Sequence, residues 1–459
     1  MRQPATPPSE DAILERLGAS DSARLIRVLS ERLPPDSQTE YLHWEKLRFK
    51  EPPGDLTHEE WWLRTKFARS AIARKLDLLR DKSNRSFWYC LPDLVLESVD
   101  NIARQASGDI AVSEQVTSPQ TRDTYIVSSL IEEAITSSQL EGAATSRPVA
   151  KEMLRSGRSP KDRSERMILN NYRAMRRVAE LRTTDLTPEL VCEIHRIVTD
   201  GTLDNPDSAG KLQDDQESRV AVWDVADDVI LHEPPQVSEL PERLRRLCDF
   251  ANGGKSGPYM PPVLRSIALH FMVGYDHYFE DGNGRTARAL FYWSMLKQGY
   301  WLAEFITISR ILKDAPTKYE TAYLLTETDE GDLTYFFIYQ LRVIERAIKE
   351  LHRYLAKKAE ELREAQERIK ALPGEFNYRQ LAVLENALKH PGSAIYSSAS
   401  HARSHNVTTE TARTDLTSLQ RRGLLLKRKV GRSYVWVPAP NLKDQLPDGD
   451  AKQPVLVIG

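Results

Sequence analysis

The sequence predicts a mainly α-helical protein that ends in a small basic module. Through most of the chain, apolar residues recur three or four positions apart, as in amphipathic helices. The alternation of apolar and polar residues that is typical of strands is confined to short segments, chiefly 218–232. Residues 376–437 have a net charge of +7, whereas the rest of the chain has a net charge of −9.

Length and composition indicate several folded units. With 459 residues, 40% of them hydrophobic, the chain suffices for roughly two to four such units. The balance of 64 Lys and Arg against 66 Asp and Glu excludes the whole chain as an electrostatic binder of nucleic acid or membrane. We predict a mostly helical N-terminal region (1–109), a helical core (110–345), a helical linker (346–374), the basic module (375–440) and a tail (441–459).

Several other protein classes are excluded because the sequence lacks the features that they require. Cys90, Cys192 and Cys248 lie far apart, which excludes a disulfide framework and a CxxC metal site. No stretch approaches the roughly 18 apolar residues of a transmembrane helix, so we expect no membrane partner. The first eleven residues lack the apolar run of a secretory signal. We therefore expect a cytoplasmic protein.

In the N-terminal region, the run 59–79 predicts one long helix. Its start is indicated by Thr57, a candidate cap, and Glu60 three residues later. Segment 86–92 is predicted as a short strand. The apolar positions at helical spacing in the run are Trp61, Leu63, Phe67, Ile72 and Leu76.

From about Asp123 the pattern predicts successive helices. They cover 124–142, 164–182 and 187–200, and the last opens with Thr187 as cap and Pro188 at the first helical position. Segment 218–232 alternates around a turn and is predicted as a β-hairpin. The apolar residues on its strands are Val220, Val222, Val229 and Leu231.

Segment 336–372 predicts one long helix that ends at Pro373-Gly374. Its apolar seam follows three- and four-residue spacing, as in a coiled coil. Two interpretations remain open: a connecting helix packed on its own domain, or a contact between two copies in a homodimer. The seam consists of Leu341, Ile344, Ile348, Leu351, Leu355, Leu362, Ile369 and Leu372.

The segment HYFEDGNGRTAR (277–288) joins two helical runs by a tight loop. Gly282, Asn283 and Gly284 tolerate positive φ, so the backbone can curl and point several N–H groups inward. These groups stand at the start of a helix, whose dipole favours anions. The loop is therefore a candidate phosphate site.

Four side chains around the loop add chemistry to it. Arg285 and Arg288 are one helical turn apart and extend the anion site. Asp281 is suited to hold Mg²⁺ together with phosphate oxygens. His277 is the nearby group suited to take a proton at neutral pH. This combination suits transfer of a phosphorus-centred group to a hydroxyl.

The segment resembles the signature of the Fic (filamentation-induced by cAMP) family. That signature reads His, any residue, Phe, any residue, Asp or Glu, Gly-Asn-Gly-Arg, two residues, Arg, and every position matches. The residue after the His is often proline in the family and is Tyr278 here, which we expect to alter the loop slightly and not the chemistry. The resemblance covers roughly 110–345 and implies an all-helical core with a β-hairpin flap.

The resemblance also implies an activity: transfer of AMP from ATP, with Mg²⁺, to a Ser, Thr or Tyr hydroxyl of a target protein. His277 would deprotonate the hydroxyl, and Asp281 would hold Mg²⁺. The flap, through Val220 and Val222, would align the target segment by strand addition. The residues implied to bind the ATP phosphates are Gly282, Asn283, Gly284, Arg285 and Arg288.

A second segment, SSQLEG (137–142), resembles the family's inhibitory motif: Ser or Thr, three residues, Glu, then Gly or Asn. It lies upstream of the core, as in the subgroup that carries its own inhibitory helix. A helix ending at Gly142 can project Glu141 toward Arg288. Ser137 and Glu141 are therefore implied to inhibit the enzyme by occupying an arginine that the γ-phosphate needs.

Three weaker patterns are interpreted structurally or left open. Segment 254–256 lacks the upstream glycine and strand of a P-loop, so we predict a loop. His401 and His405 stand four residues apart without a third zinc ligand, so we predict a surface helix face. Tyr319 and Tyr323 are candidates for the adenine side of the pocket or for packing.

The sequence of the basic module predicts three helices followed by a hairpin. This order of elements resembles a winged helix-turn-helix. The third helix begins after Thr408, a candidate cap. DNA binding and protein docking are both open for such a domain. The candidate DNA contacts are Thr409 and Arg413 on the third helix and Lys427, Arg428, Lys429 and Arg432 on the wing.

Together these features predict a mainly α protein: an all-helical Fic core with a β-hairpin flap, followed by a small winged helix-turn-helix domain. The predicted function is a self-inhibited protein adenylyltransferase that modifies target proteins and itself. One alternative is an enzyme that removes AMP, with Glu141 positioning water. Another is a DNA-binding regulator whose Fic body acts as a sensor.

Overall fold

The computed structural model describes residues 3–30, 40–107, 119–217, 219, 222–224, 229–253, 259–370, 376–390, 394–430 and 433–442. The described chain is mainly helical, as predicted, and contains three short two-stranded hairpins. It divides into two compact units. The first comprises Met1–Ala111 and Ile126–Lys349, and the second comprises Val112–Tyr125 and Glu350–Gly459.

The N-terminal part of the first unit contains five helices and one hairpin in the described residues. Thr57 caps the fourth helix through a capping box with Glu60, as predicted. These elements are α1 (Glu10–Ser20), α2 (Ser22–Ser30), α3 (Trp44–Leu47), α4 (His58–Ser70), β1 (Arg74–Arg80), β2 (Ser86–Tyr89) and α5 (Asp93–Ala106).

The prediction of one helix over 59–79 is wrong in its second half. The helix ends at Ser70, and Arg74–Arg80 forms β1, which pairs antiparallel with β2. Phe67 and Ile72, two of the apolar positions at helical spacing, are 52% and 58% exposed. The pairing explains the error, because Leu76 pairs with Phe87 in a hairpin whose second strand lies outside the run. Leu79 and Phe87 are both buried in this hairpin. The predicted strand at 86–92 is confirmed over Ser86–Tyr89.

The rest of the first unit is a bundle around two adjoining helices, α11 and α12, which are buried almost all round. The cap at Thr187 with Pro188 at the first position of α9 is confirmed. The elements are α6 (Pro119–Leu140), α7 (Arg147–Ser156), α8 (Arg163–Glu180), α9 (Pro188–Thr199), β3 (Val222–Asp224), β4 (Val229–His232), α10 (Leu240–Ala251), α11 (Pro262–Asp276), α12 (Asn283–Lys297), α13 (Ile308–Asp314), α14 (Pro316–Thr328) and α15 (Thr334–Lys370). The start of α6, up to Tyr125, and the end of α15, from Glu350, belong to the second unit.

The hairpin predicted at 218–232 is present as the antiparallel pair β3 and β4. Its register shifts between Val222 and Trp223, which indicates a β-bulge. Val220 lies outside the described residues, as does the side chain of Val222. Their predicted role in docking a target therefore remains a prediction.

The predicted long helix is present as α15. Its seam residues Leu341, Ile344 and Ile348 are buried, in agreement with packing of this part on its own unit. The side chains of Leu362 and Ile369, and Leu372 with the predicted stop at 373–374, lie outside the described part. The homodimer contact remains a prediction. No helix in the described ranges is both long enough and apolar enough to cross a bilayer.

The second unit contains α16 (Tyr378–Lys389), α17 (Ser398–His405), α18 (Thr409–Arg421), β5 (Leu425–Val430) and β6 (Ser433–Pro438). Thr408 caps α18 as predicted. Buried Asp415 accepts hydrogen bonds from Arg379 Nε (2.6 Å) and Asn377 Nδ2 (2.7 Å), which ties the first of these helices to the third. The element order is the one expected for a winged helix-turn-helix, and that assignment remains a prediction.

Candidate active site

His277 stands where α11 ends, in the left-handed conformation (φ 49°, ψ 57°). Its Nδ1–H donates to the Gly274 carbonyl oxygen at 3.3 Å, which leaves Nε2 as the acceptor nitrogen. Burial lowers the pKa of His277 to about 4. The imidazole is therefore neutral at physiological pH, as a proton acceptor must be.

Side-chain donors from other segments cap the carbonyl end of α11. Arg219 Nη1 donates to the His277 carbonyl (2.6 Å), and Nη2 donates to the Asp276 carbonyl (2.6 Å). Gln213 Nε2 reaches the carbonyls of His277 (3.0 Å) and Phe279 (2.7 Å). The last carbonyls of a helix lack partners within it, so these donors fix the turn that presents His277.

The loop after His277 is closed by the side chain of Asn283. Its Nδ2 donates to the Phe279 carbonyl (2.6 Å), and its Oδ1 accepts from the Phe279 N–H (3.0 Å). Only the backbone of Asn283 remains for the predicted phosphate contact. Gly282 has φ +84°, and a Cβ there would lie 2.7 Å from Thr199 Cγ2, so this position requires glycine.

His195 on α9 supports the loop that follows His277, and the sequence analysis did not predict this role. Its Nε2–H donates to the Asp281 carbonyl (2.8 Å), its Nδ1 accepts from Gly210 N–H (2.9 Å), and its ring stacks on Phe279 at 3.7 Å. Burial lowers the pKa of His195 to about 4, so the ring is neutral. A single histidine in an amphipathic helix gives no sequence signal of this role.

The N-terminus of α12 forms the floor of the candidate phosphate site. The N–H groups of the first helical turn have no partner within the helix, and no side chain of the cap residue Gly282 bonds them. A Cβ on Gly284 would collide with Glu141 Oε1 and would lie 3.1 Å from Arg288 Nη1. The Glu141 carboxylate therefore lies directly against the N-terminal turn of α12.

Arg285 and Arg288 are both 1% exposed, although both carry charge. Arg285 Nη2 donates to Asp281 Oδ2 (3.1 Å) and its Nη1 to the Val198 carbonyl (3.1 Å). Within the described chain, Arg285 Nε and Arg288 Nη1 are buried without a hydrogen-bond partner. Orphaned guanidinium N–H groups beside a helix N-terminus fit a bound phosphate.

The predicted inhibitory motif meets Arg288. Arg288 Nη2 donates to Glu141 Oε1 (2.8 Å) and to the Ser137 carbonyl (3.1 Å), and its Nε donates to Ser137 Oγ (2.8 Å). Ser137 lies in the last turn of α6 and Glu141 directly follows the helix, so the two residues reach the arginine together. The motif thus occupies part of the hydrogen-bonding capacity of Arg288.

Asp281 is the residue predicted to hold Mg²⁺. Its side chain is 44% exposed, accepts from Arg285 and hydrogen-bonds the Gly282 N–H. Mg²⁺ commonly binds one or two carboxylates and completes its shell with phosphate and water, so one accessible carboxylate beside a phosphate site fits this ion. In the described residues, no cluster of three or more His, Cys, Asp or Glu side chains is arranged to hold a metal by itself.

Tyr278, the departure from the family pattern, is fully buried. Its hydroxyl donates to Asp276 Oδ2 (2.6 Å), and Arg243 Nε binds the other oxygen (2.8 Å). The residue therefore strengthens the end of α11. Tyr319 and Tyr323 pack on each other, and Tyr319 OH lies 2.8 Å from His270 Nε2. These contacts account for both tyrosines as packing residues, and their adenine role remains a prediction.

The remaining predicted residues lie in the second unit or outside the description. Thr409, Arg413, Lys427, Arg428 and Lys429 are exposed. Arg432 and segment 254–256 lie outside the described residues. The prediction of a surface face at His401 is wrong, because His401 is 4% exposed and lies 3.4 Å from Asp415 Oδ2.

Comparison with known proteins places the candidate active site in a recognised domain. Residues 185–295 match the model of the Fic/DOC family, and the match includes the whole segment 277–288. The chain is 28% identical over 167 residues to a protein adenylyltransferase Fic of Nematostella vectensis. That alignment covers 36% of this chain, which spans about a third (34%) of the relative's length.

Two solved structures are also similar. A Fic family protein from Desulfovibrio desulfuricans aligns with a TM-score of 0.49 at 14% identity, over 76% of this chain and 97% of the other. Fic-1 from C. elegans aligns with a TM-score of 0.46 at 21% identity, over 68% of this chain and 80% of the other.

Proposed function

We propose that this chain, which carries a Fic/DOC family domain over residues 185–295, is a self-inhibited protein adenylyltransferase. It transfers AMP from ATP to a Ser, Thr or Tyr hydroxyl of a target protein or of itself. The observation that carries the proposal is the juxtaposition of the open N-terminal turn of α12, the buried Arg288 and the Glu141 carboxylate in one site. The adenylyltransferase name of the Nematostella relative supports the same reaction class.

The proposed reaction follows from the protonation state of His277. Its Nε2 takes the proton of the target hydroxyl, whose oxygen forms a bond to the α-phosphorus of ATP. The bond between the α-phosphorus and its bridging oxygen to the β-phosphate breaks, and pyrophosphate leaves with that electron pair. A bound Mg²⁺, held by Asp281, would neutralise charge on the phosphate oxygens. The N–H groups of α12 and Arg285 would orient the phosphates.

Inhibition is proposed to act through Arg288. While Glu141 is hydrogen-bonded to the Arg288 guanidinium, the γ-phosphate of ATP cannot bind this arginine. The Glu141 carboxylate occupies the place that the γ-phosphate needs. ATP then binds with its α-phosphate displaced from the line of attack, and a misplacement of about 1 Å can cost roughly 10²-fold in rate.

The test is incubation of the purified full chain with Mg²⁺ and ATP labelled on the α-phosphate. We expect weak self-labelling of the wild type, strong labelling of Glu141→Gly, and none of Glu141→Gly combined with His277→Ala, although the last still binds ATP. Absence of labelling in Glu141→Gly with confirmed ATP binding would refute the transferase. Loss of label from pre-modified protein only when Glu141 is present would favour removal of AMP instead.

DNA binding by the second unit is a second proposed function. It is favoured by the exposure of Arg413 on α18 and of the three consecutive cations Lys427, Arg428 and Lys429 on β5. Such a role is compatible with the transferase, because the two sets of residues lie in different units.

A further inference from the structure

Three polar residues of α6, the helix that carries the inhibitory motif, follow one another at intervals of one helical turn: Ser129, Glu133 and Ser137. Ser137 is the residue that binds Arg288. The other two face the segment that leads into α13, where Ser129 Oγ donates to the Phe305 carbonyl (2.9 Å). One side of α6 therefore contacts both this segment and the candidate active site.

Glu133 caps the start of α13. Its Oε2 accepts from the Ser309 N–H (3.2 Å), and its Oε1 accepts from the Ser309 hydroxyl. Ser309 is the second residue of α13, so its N–H has no partner within that helix. In the described chain, the side chain of the cap residue Thr307 makes no hydrogen bond to this turn. The cap of α13 is thus supplied by a different helix, which ties the two helices together.

The contact of Glu133 is buried, whereas the inhibitory carboxylate is partly exposed. Glu133 and Ser309 are both buried, so moving them apart would leave polar groups without hydrogen bonds in a place that water does not reach freely. The Glu141 side chain is 26% exposed and follows the end of α6. The place of Glu141 against Arg288 therefore depends on where α6 lies.

The other side of α6 packs on α7 and α8 through apolar residues. Ile131, Ala134 and Ile135 form a buried cluster with Met153 of α7 and Ile168 of α8. Apolar burial is not directional, whereas hydrogen bonds weaken steeply when their geometry changes. The hydrogen bonds of Glu133 are therefore the contacts suited to fix the rotation and register of α6.

We propose that Glu133 is a positioning residue of self-inhibition: by capping α13, it fixes α6 in the register that places Ser137 and Glu141 on Arg288. This inference rests on the proposed transferase, because the contact of Glu141 with Arg288 inhibits only if the chain transfers AMP. Without the bonds of Glu133, the end of α6 moves away more often, Arg288 is free for the γ-phosphate, and transfer becomes faster.

Glu133 also carries a charge that interacts with Arg288, and the Tyr292 hydroxyl on α12 is a further hydrogen-bond partner. Two substitutions separate charge from position. Glu133→Gln removes the charge but keeps an oxygen for the Ser309 N–H and supplies an amide N–H to the Ser309 hydroxyl. Glu133→Ala removes both hydrogen bonds. If position governs inhibition, Glu133→Gln stays inhibited and Glu133→Ala does not.

The test is self-labelling of the full chain with Mg²⁺ and ATP labelled on the α-phosphate. We expect Glu133→Ala to label about tenfold faster than the wild type, the scale of one buried hydrogen bond to a charged group, and Glu133→Gln to stay within about threefold of the wild type. Glu132→Ala is the matched control and should label like the wild type. This neighbouring carboxylate pairs with Arg147 and Lys151, two partly exposed cations of α7, and such pairs contribute little.

Two further measurements separate positioning from a general loss of structure. Hydrogen exchange over 134–141, which needs no activity, should become about tenfold faster in Glu133→Ala while unfolding by denaturant remains a single transition. In the Glu141→Gly background, adding Glu133→Ala should give no further gain, since no inhibitory carboxylate remains to be positioned. A variant that only destabilises the fold would label more slowly in both backgrounds.

Equal gains for Glu133→Ala and Glu133→Gln would overturn the inference, because charge would then be the cause. Unchanged exchange and labelling in Glu133→Ala, or a gain that persists in the Glu141→Gly background, would overturn it as well. If Glu133→Ala does not fold, Ser309→Ala removes the hydroxyl donor alone and should raise both rates by a smaller factor; no rise would count against the inference. If Glu141→Gly does not label itself while exchange follows the expected pattern, the transferase fails and the positioning of α6 by Glu133 stands.

Discussion

At the scale of single residues, the environment of His277 suits the role of base that we propose for it. Its Nδ1–H is committed to the Gly274 carbonyl, and the ring is largely removed from water. The depressed pKa has a consequence for stability, since the unfolded chain binds a proton at His277 below about pH 6.5 that the folded chain does not. This residue therefore contributes a loss of stability as the pH falls from about 6.5 toward 4.

A titration should detect this state directly. We expect the His277 imidazole to remain neutral from pH 8 down to pH 5.5, because burial lowers its pKa to about 4. Histidine-selective ¹³C labelling, with the resonance assigned by its absence in His277→Ala, provides the measurement. A midpoint near the ordinary value of about 6.5 would contradict the assignment of a neutral imidazole with a lowered pKa.

Asp281 can be tested by removing its charge while keeping its shape. Asp281→Asn keeps one of the two oxygens, so it can still accept from the Gly282 N–H but loses the contact with Arg285. The Asn283 side chain still closes the loop, so the loop should fold. We expect self-labelling in the Glu141→Gly background to fall by at least about 10²-fold, the scale of one preorganised electrostatic contact. Titration with Mg²⁺ is the measurement, and activity restored in full at saturating Mg²⁺ would mean that Asp281 is not the metal carboxylate.

At the scale of elements, the sequence predicted the site where its residues are contiguous. The segment 277–288 lies on one helix end, one loop and one helix start, so spacing alone brings its members together. His195, Gln213, Arg219 and His232 come from separate segments and meet the site only through tertiary packing, which no spacing reveals. The strand at Arg74–Arg80 was missed for the same reason, because its partner lies beyond the apolar run.

The contact between α6 and α12 yields a double-variant prediction. Glu141→Gly should raise self-labelling by about 10²-fold, because it frees Arg288 and clears the N-terminal turn of α12. Arg288→Ala added to it should remove the gain, since both residues act on one contact. The measurement is the initial rate of labelling in the four proteins of the cycle, with folding verified by circular dichroism. A hyperactive double variant would show that Glu141 acts through some other group.

At the scale of the whole molecule, the distribution of charge decides which partners each unit can attract. The chain has a formal net charge of −2, yet residues 376–437 have a net charge of +7. Lys427 lies over the Tyr434 ring at 4.2 Å, so this wing cation rests on an apolar base with its charge still exposed. An acidic body with a basic module suits a surface interaction with phosphates that is confined to one end of the chain.

This confinement leads to a prediction for the full chain. We expect weak, sequence-independent binding to duplex DNA at low salt, with an affinity that falls steeply as salt rises because phosphate contacts release counterions. Replacing Lys427, Arg428 and Lys429 together by Ala should weaken binding at least tenfold and flatten the salt dependence, since each lost phosphate contact lowers the slope by about one.

The matched control removes the same charge from the body, by Lys75→Ala, Lys318→Ala and Lys349→Ala at exposed positions. Fluorescence anisotropy with a labelled duplex across a salt series measures both quantities. If the control weakens binding as much as the wing variant, the net charge of the chain governs the interaction and the wing does not. If the unchanged protein does not bind DNA at low salt, the exposed cations of the second unit serve a protein partner instead.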